Sequence, residues 1–267
     1  MSRKKIGLAL SGGAARGFAH IGVLKVLIEN NIPIDMVAGT SAGSIVAAAI
    51  ASGMSLDEIL KMADGIGWAD VGRPSLSPMG LLSNAPLGRY LARHFPHHTI
   101  EDLDIPFAAL ACDPMTGEEV VLRDSGDLVH AIRASCAVPG IFVPLKDGTQ
   151  LLVDGGATKP LPCDTVRDLG ADVVIAIDVL ACGSNFRSNP RTALGVTIMS
   201  AMTLIRMATM FQHIHADVVI APEIAHLRPD ELGKRDEFIK LGEEAARQKL
   251  DEIKSVVCAA GGQSSAE

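Results

Sequence analysis

The sequence predicts an α/β protein in three layers, with a central, mostly parallel sheet between two layers of helices. Short aliphatic runs alternate with segments of helical periodicity along the chain. Apolar residues make up 48% of the 267 residues and aromatic residues only 3%, so the core is built from aliphatic side chains. That composition suits helices packed on a buried parallel sheet. No linker composition divides the chain, so we expect one domain over residues 1–267 with a frayed tail at 259–267.

The order of elements supports this fold class. Strand, loop, helix, strand, turn and helix follow one another from the start, as in a parallel sheet with right-handed crossovers. The predicted strands are 5–10, 36–40, 107–112, 119–122, 151–153, 171–179 and 217–221. The predicted helices are 18–31, 44–52, 55–63, 128–135, 161–169, 191–213 and 236–257. Residues 65–84 show no clear period and are expected to form a mobile loop or lid.

Charge and cysteine content exclude several classes of protein. A formal charge of −7, without a basic stripe, argues against nucleic acid as a partner. The five cysteines are scattered without metal-ligand or disulfide spacing, which indicates a reducing compartment. The uncharged run at 193–205 is too short to span a membrane, and the apolar run at 6–10 is too short for a signal peptide. We therefore expect a cytoplasmic protein without a transmembrane segment.

The stretch "GTSAG" places Ser41 between a predicted strand and a predicted helix. A serine on such a sharp turn projects its hydroxyl from the sheet edge, and Gly39 and Gly43 remove side chains that would clash there. The first N–H groups of the following helix point to the same place. This pattern indicates a nucleophile, although a turn that only packs a helix against a strand has the same sequence.

The stretch "SGGAARG" at 11–17, which we call the glycine loop, also joins a strand to a helix. Parallel strands bring such loops together at one sheet edge, where ligands bind. Gly12 and Gly13 allow the backbone N–H groups to form an anion nest, for a phosphate or for an oxyanion. A dinucleotide site would need glycine in place of Ala14 and an acidic residue after the second strand, and a P-loop would need a following lysine.

The stretch "LLVDGG" ends a predicted strand at Asp154, followed by Gly155 and Gly156. An aspartate there can simply form a turn. Ser41, however, needs a base, and none of the downstream histidines follows a sheet strand in the way a catalytic triad requires. Those histidines are His213, His215 and His226. The remaining candidate is a serine activated directly by Asp154.

Four stretches together resemble the patatin-like phospholipases, in particular short bacterial members related to the catalytic domain of neuropathy target esterase. They are "GLALSGGAARGFAHIGVLKVL", "PIDMVAGTSAGSIVAA", "RASCAVPGIFVPL" and "LLVDGGATKPLPCDTVRDLGADVVIAIDV". The resemblance is strong over residues 5–180 and looser towards the C-terminus. It implies a fold related to the α/β-hydrolases.

The resemblance also implies roles for individual residues. Ser41 matches the nucleophile, Asp154 matches the proton acceptor, and the glycine loop matches the loop that stabilises the oxyanion. Its residues in this sequence are Gly12, Gly13, Ala14, Arg16 and Gly17. Ala14 replaces the usual third glycine, so the amides of Gly13 and Ala14 are the expected donors, with Ala42 as a further one. Arg16 is expected either to fix the loop or to meet a substrate phosphate.

The activity implied is hydrolysis of phospholipid or lysophospholipid esters through an acyl-serine, without metal or cofactor, by a cytoplasmic protein that works at the membrane surface. Transfer of the acyl group to another acceptor, or a lipid-binding module with little turnover, are the alternatives. Arg133, Ser135 and Cys136 are expected to be structural neighbours of the site, and the methionines of 199–210 to pack in the core. The histidines of "RHFPHH" are expected in a solvated turn.

Overall fold

The protein is described by a computed structural model, which covers residues 3–180 and 191–258. The expected polar loop at 183–190, Cys182 and the expected tail at 259–267 lie outside the described residues. Eleven strands are found in the described part of the chain. They are β1 (Ile6–Leu10), β2 (Met36–Thr40), β3 (Arg73–Pro74), β4 (Gly80–Ser83), β5 (Phe107–Cys112), β6 (Glu119–Arg123), β7 (Gly140–Phe142), β8 (Leu145–Asp147), β9 (Gln150–Asp154), β10 (Val173–Ile177) and β11 (Val218–Ile220).

Ten α-helices accompany them within residues 3–180 and 191–258. They are α1 (Phe18–Glu29), α2 (Ala42–Ala51), α3 (Leu56–Gly65), α4 (Trp68–Val71), α5 (Ala85–His94), α6 (Leu128–Ser135), α7 (Cys163–Asp168), α8 (Ala193–Gln212), α9 (Arg235–Gln248) and α10 (Leu250–Cys258). The predicted helix at 236–257 is thus divided into α9 and α10. In the same part of the chain, no helix is long and apolar enough to cross a membrane.

The main sheet has eight strands in the order β11-β10-β1-β2-β5-β9-β8, and β6 pairs with β5 as well. The pairings from β11 to β5 are all parallel. Those that join β6, β8 and β9 are antiparallel. The predicted fold class, with its mostly parallel central sheet, is confirmed.

Helices cover both faces of this sheet because alternate strand residues point to opposite sides. Leu8 of β1 packs in the larger cluster, together with residues of α1, α2, α3, α6 and α9. Its neighbour Ala9 packs in a second cluster that includes Cys163 and Val166 of α7. Small strand side chains dominate this second face, which lets α7 approach the sheet closely.

Residues 65–84 contain more regular structure than the irregular loop expected from the sequence. The segment forms α4, β3 and β4, and β4 pairs with β7 in a separate three-stranded sheet. β7 lies far away in the sequence, so local periodicity could not reveal this pairing. The hairpin between β3 and β4 exposes apolar side chains, among them Leu76 and Leu81.

Helices α1 and α9 touch backbone to backbone at two glycines. A Cβ atom added to Gly22 would lie 1.9 Å from the carbonyl oxygen of Ile239, and one added to Gly242 would lie 2.1 Å from that of Ala19. No larger side chain fits at either position without moving a helix. α1 directly follows the glycine loop. The close contact between α1 and α9 therefore holds the loop against the C-terminal part of the chain.

Candidate active site

Ser41 lies on the turn from β2 to α2, with φ 53° and ψ −127°. This conformation is unusual for a residue with a side chain and costs about 1–3 kcal/mol. The turn is tight: a Cβ atom on Gly39 would lie 2.4 Å from the Gly43 carbonyl oxygen, and one on Gly43 would lie 2.4 Å from that of Leu10. The two glycines therefore permit the strained elbow (residues 39–43) that presents the serine.

Hydrogen bonds on both sides hold this elbow. The backbone N–H of Ser41 donates to the hydroxyl of Ser135 at the end of α6, over 2.8 Å. The hydroxyl of Ser44 donates to the carbonyl oxygen of Ser41 over 2.6 Å. Ser41 itself is only 8% exposed. The strain of the elbow is thus maintained by buried contacts from α2 and α6.

Asp154 reaches the serine because two strands meet end to end along β5. The last residue of β2, Thr40, pairs with Leu110, and the last residue of β9, Asp154, pairs with Ala111. β6 occupies the opposite edge of β5, so β2 and β9 share one edge. The two strands arrive from opposite directions, and their carboxyl ends place Ser41 and Asp154 next to each other.

The Asp154 carboxyl group is buried and accepts hydrogen bonds from its neighbours. Its Oδ1 accepts the N–H of Gly156 over 2.8 Å, and its backbone N–H donates to Ala137. Burial raises the pKa of Asp154 to about 6, while hydrogen bonds from the Ser41 side chain and the Gly156 N–H lower it. A carboxylate with this pKa is ionised at neutral pH and is a better base than an exposed aspartate.

The glycine loop lies against this pair, since β1 and β2 are parallel neighbours. A Cβ atom on Gly12 would lie 3.3 Å from Cβ of Ser41. The N–H of Gly12 donates to Pro160. Among the described residues, no acceptor is found for the N–H groups of Gly13 and Ala14. The same holds for the N–H of Ala42 at the start of α2, so the three amides expected as donors have no acceptor in the described part of the chain.

Ala14 adopts a positive φ of 50° although it is not glycine. The left-handed region costs an L-residue roughly 1–2 kcal/mol. Ala14 therefore holds a backbone conformation that glycine would adopt at lower cost. Gly17, at the other end of the loop, packs against Ala42: a Cβ atom there would lie 2.7 Å from the alanine side chain.

The Arg16 side chain is 2% exposed and points into the protein. Its Nη2 donates to the carbonyl oxygen of Leu227 over 3.0 Å, and its Nε donates to the same atom over 3.3 Å. The structure places this arginine as an anchor of the glycine loop, which is the first of the two roles considered for it.

Two of the three downstream histidines contact carboxylates other than Asp154. His213 Nε2 lies 2.8 Å from Asp178, and His226 Nε2 lies 3.3 Å from Glu237. Within residues 3–180 and 191–258, no group of three or more His, Cys, Asp or Glu side chains is arranged to hold a metal ion.

A family model described as "Patatin-like phospholipase" matches residues 8–167. The chain belongs to the patatin-like phospholipase family. This finding confirms the family and the fold class that the sequence predicted. The matched segment contains the glycine loop, the elbow and Asp154.

Relatives of this patatin-like phospholipase include Patatin-like phospholipase domain-containing protein 6 of mouse and of human, each 38% identical over 185 residues. The match covers 65% of this chain and 13% of each relative. An uncharacterized NTE family protein of Mycobacterium tuberculosis is 36% identical over 181 residues, covering 67% of this chain and 50% of that protein. The chain therefore spans half or less of these relatives.

The fold is also shared with a solved structure. VipD from Legionella pneumophila superposes with a TM-score of 0.55 at 14% sequence identity, over 94% of this chain and 67% of that one. At this identity the likeness concerns the fold alone.

Several contacts that stabilise the site of this patatin-like phospholipase could not be predicted from its sequence. His20 is fully buried, contacts the carbonyl oxygen of Ser11 over 2.9 Å, and has a pKa that burial lowers to about 4. The N–H of Ala15 donates to Pro229 over 2.9 Å. The partners of these contacts are distant in the sequence or give no chemical signal, so no motif could reveal them.

Cys136 lies within reach of both members of the pair. Its thiol is hydrogen-bonded with Ser44 and Ser41. Burial, reinforced by the charge of Asp154, raises the pKa of this thiol, so it stays protonated. Cys136 and the hydroxyl of Ser135 thus lie beside the pair, where the sequence analysis expected them as structural neighbours.

Helix α8 borders the site and is less buried than expected. A Cβ atom on Gly156 would lie 3.9 Å from Ile205. The prediction that the methionines of this helix pack in the core is wrong for Met207 and Met210, which are 46% and 57% exposed. A helix of apolar composition close to Gly156 and Asp154 thus presents apolar side chains to the surface.

Proposed function

We propose that this protein hydrolyses acyl esters of phospholipids or lysophospholipids, with Ser41 as nucleophile and Asp154 as its base. The observation that carries this proposal is the meeting of β2 and β9 along β5, which brings a strained, buried serine next to an aspartate whose pKa is about 6. The family match supports the class of substrate.

In the first half of the reaction, Ser41 Oγ attacks the ester carbonyl and its proton passes to Asp154. Negative charge develops on the carbonyl oxygen, where the N–H groups of Gly13 and Ala14 are free to donate. Each such donor contributes on the order of 3 kcal/mol to transition-state stabilisation. The tetrahedral intermediate collapses to an acyl-serine, and Asp154 returns the proton to the departing alcohol.

In the second half, water takes the place of the alcohol. Asp154 accepts a proton from the water as it attacks the acyl-serine, and the same two amides bind the oxyanion. Collapse releases the fatty acid, and the proton returns to Ser41 Oγ. The reaction consumes one water and leaves the protein unchanged. A different alcohol in place of the water would give acyl transfer by the same steps.

A fluorophosphonate probe tests the nucleophile. Wild-type protein should gain the mass of one adduct, because Oγ attacks phosphorus as it attacks a carbonyl and the product is stable. Ser41→Ala should gain none, whereas Ser255→Ala, which removes an exposed hydroxyl of α10, should still react. The measurement is intact mass. Absence of an adduct on the wild type, or an adduct that survives Ser41→Ala, would favour a binding module instead.

We further propose that α8 contacts the lipid surface from which the substrate is drawn. Arg206 is the only charged residue of this 20-residue helix. Its most exposed large side chains are Leu204 at 71% and Phe211 at 73%. The helix lies beside Gly156, so apolar contact there would bring acyl chains close to the catalytic pair. Such a helix binds a membrane interface through its apolar face.

Substitution of this face tests the membrane proposal. Leu204→Ser with Phe211→Ser should lower the rate on phospholipid vesicles by about tenfold or more, since burial of each large apolar side chain is worth roughly 1.5–3 kcal/mol. Hydrolysis of a short p-nitrophenyl ester in solution should be unchanged. Ile28→Ser, which alters an exposed apolar residue of α1, is the control. Equal loss on both substrates would mean that the helix shapes the active site rather than a membrane contact.

A further inference from the structure

A cavity of about 300 Å³ lies between the start of α5, one side of α6 and the segment that joins β7 to β8. We call it the basic cleft. Its walls include Ser83, Asn84, His130, Arg133 and Lys146. None of the described residues that line it is acidic. The catalytic mechanism above uses none of them.

Arg133 is held in a fixed position at this cleft. Its Nε donates to Oδ1 of Asn84 over 3.2 Å, and Nδ2 of Asn84 donates back to the Arg133 carbonyl oxygen over 2.8 Å. Asn84 is 1% exposed. The stem of the arginine lies on Gly88 of α5, where a Cβ atom would come within 2.5 Å of its Cδ. A guanidinium fixed through Nε has its terminal nitrogens ready for a ligand.

The two cations of the basic cleft have no direct ion-pair partner within the described part of the chain. Neither Arg133 nor Lys146 forms an ion pair there. Burial and the neighbouring charge of Arg89 lower the pKa of Arg133, and only Asp127 opposes them. Asp127 already accepts the N–H of His130 over 2.6 Å as the cap of α6.

This arrangement is unusual for a protein of net charge −7. Elsewhere, half-buried cations are matched: Lys159 contacts both Glu119 and Asp164. At the basic cleft, by contrast, Nε2 of His130 is buried with no hydrogen-bond partner among the described residues. The half-buried Arg133, which has no ion pair and shares this cavity with Lys146, therefore indicates a place for an anionic ligand.

Helix α5 begins at the same place, and its first turn contains no acidic residue. The positive end of its dipole adds to the charge of the cleft. The cleft is separate from the catalytic pair: Arg133 and Ser135 are two positions apart on α6 and so project about 200° apart around the helix. Ser135 holds the elbow and Arg133 lines the cleft, so a ligand in the cleft would contact the opposite side of the same helix.

We propose that the basic cleft binds the phosphate group of a phosphate ester, held by Arg133 and Lys146. A fork of guanidinium donors beside an ammonium group matches the oxygens of a phosphate better than a single carboxylate. The phosphate belongs either to a soluble ester or to the head group of a second lipid, distinct from the one attacked by Ser41. The two sources present the same group to the cleft.

Glycerol 3-phosphate is the soluble probe. It should raise the melting temperature of the wild type and bind in calorimetry, whereas sodium chloride of the same ionic strength should do neither. Lys146→Met should weaken binding by about tenfold, the usual effect of losing one charge-assisted hydrogen bond. Lys240→Met, an equal change of charge on an exposed lysine of α9, should bind as the wild type does. Arg133→Gln should bind more weakly than Lys146→Met.

Vesicles of phosphatidylcholine, with or without phosphatidate, distinguish the two sources. If the phosphate belongs to a lipid, Lys146→Met should reduce binding to the phosphatidate vesicles while Lys240→Met does not. If it belongs to a soluble ester, both variants should bind the vesicles equally and only the response to glycerol 3-phosphate should change. The proposal is overturned if Lys146→Met and Lys240→Met behave alike with both probes. Melting temperature, calorimetry and vesicle binding do not depend on ester hydrolysis. They therefore test the basic cleft whether or not Ser41 is the nucleophile.

Discussion

Replacement of Asp154 by Asn is expected to lower kcat by about 1,000-fold, the effect of losing a positioned general base. Asn keeps the shape of the side chain and can still accept the N–H of Gly156, but it cannot take the proton of Ser41. The measurement is steady-state hydrolysis of a p-nitrophenyl ester at pH 8. Activity near the wild-type level would remove Asp154 from the mechanism and reopen the search for a histidine.

The same substitution is expected to stabilise the protein. Burial raises the pKa of Asp154 from 3.8 to about 6. At neutral pH the folded protein therefore contains an ionised carboxylate in surroundings that destabilise its charge. A difference of this size corresponds to about 3 kcal/mol. The cost is fully present above pH 6 and disappears below pH 4, where the carboxyl group is protonated in both states. Asp154→Asn should therefore unfold at higher denaturant than the wild type at pH 8, with the gap closing at pH 4.

The pH profile of the wild type provides a control for this assignment. Because the reaction needs the ionised carboxylate, kcat/KM should fall about tenfold for each pH unit below 6 and level off above it. The Asn variant should lose this dependence in its residual activity. A wild-type profile that is flat through pH 6 would contradict the raised pKa.

Gly22→Ala is expected to lower the free energy of unfolding by about 3 kcal/mol or more, because overpacking against rigid backbone cannot be relieved by a side-chain rotation. The added methyl group would lie 1.9 Å from the carbonyl oxygen of Ile239, so α1 and α9 must separate. The glycine loop precedes α1, and activity should fall with stability. Equilibrium unfolding in urea and ester hydrolysis measure the two effects.

Gly233→Ala is the matched control for that experiment. Nothing lies within 4 Å of a Cβ atom at this position. Unfolding and activity should therefore remain those of the wild type. A Gly22→Ala variant that is as stable as Gly233→Ala would show that the two helices have room to move apart, contrary to the packing described.

Much of the fold could be predicted from the sequence because the decisive signals are local. The continuous aliphatic run of β2 and the amphipathic spacing of α6 were predicted with the observed bounds. The helix predicted at 55–63 is present as α3 and begins with a capping box of Ser55 and Glu58. The small sheet of β3, β4 and β7 was not predicted, since these strands are short and their pairing depends on residues far apart in the chain.

The candidate site could also be predicted in part from the sequence. Ser41, Asp154 and the glycine loop belong to motifs, and the structure brings the three together. β9 runs antiparallel to β5 and so meets β2 end to end. The sequence could not predict this, because an aliphatic strand has the same residue pattern in parallel and antiparallel sheets. The contacts from Ser135, Leu227 and Pro229 involve a hydroxyl and two carbonyl groups that occur throughout any chain.

The anchors of the glycine loop also bear on how the protein is made. Leu227 and Pro229, which hold Arg16 and Ala15, are synthesised more than two hundred residues after the loop at residues 11–17. β1, which carries the loop, likewise waits for β10 to complete its pairing. The elbow and the aspartate can emerge long before the donors for the oxyanion are fixed. If the proposed mechanism holds, a nascent chain should gain its activity only after translation has passed these C-terminal contacts.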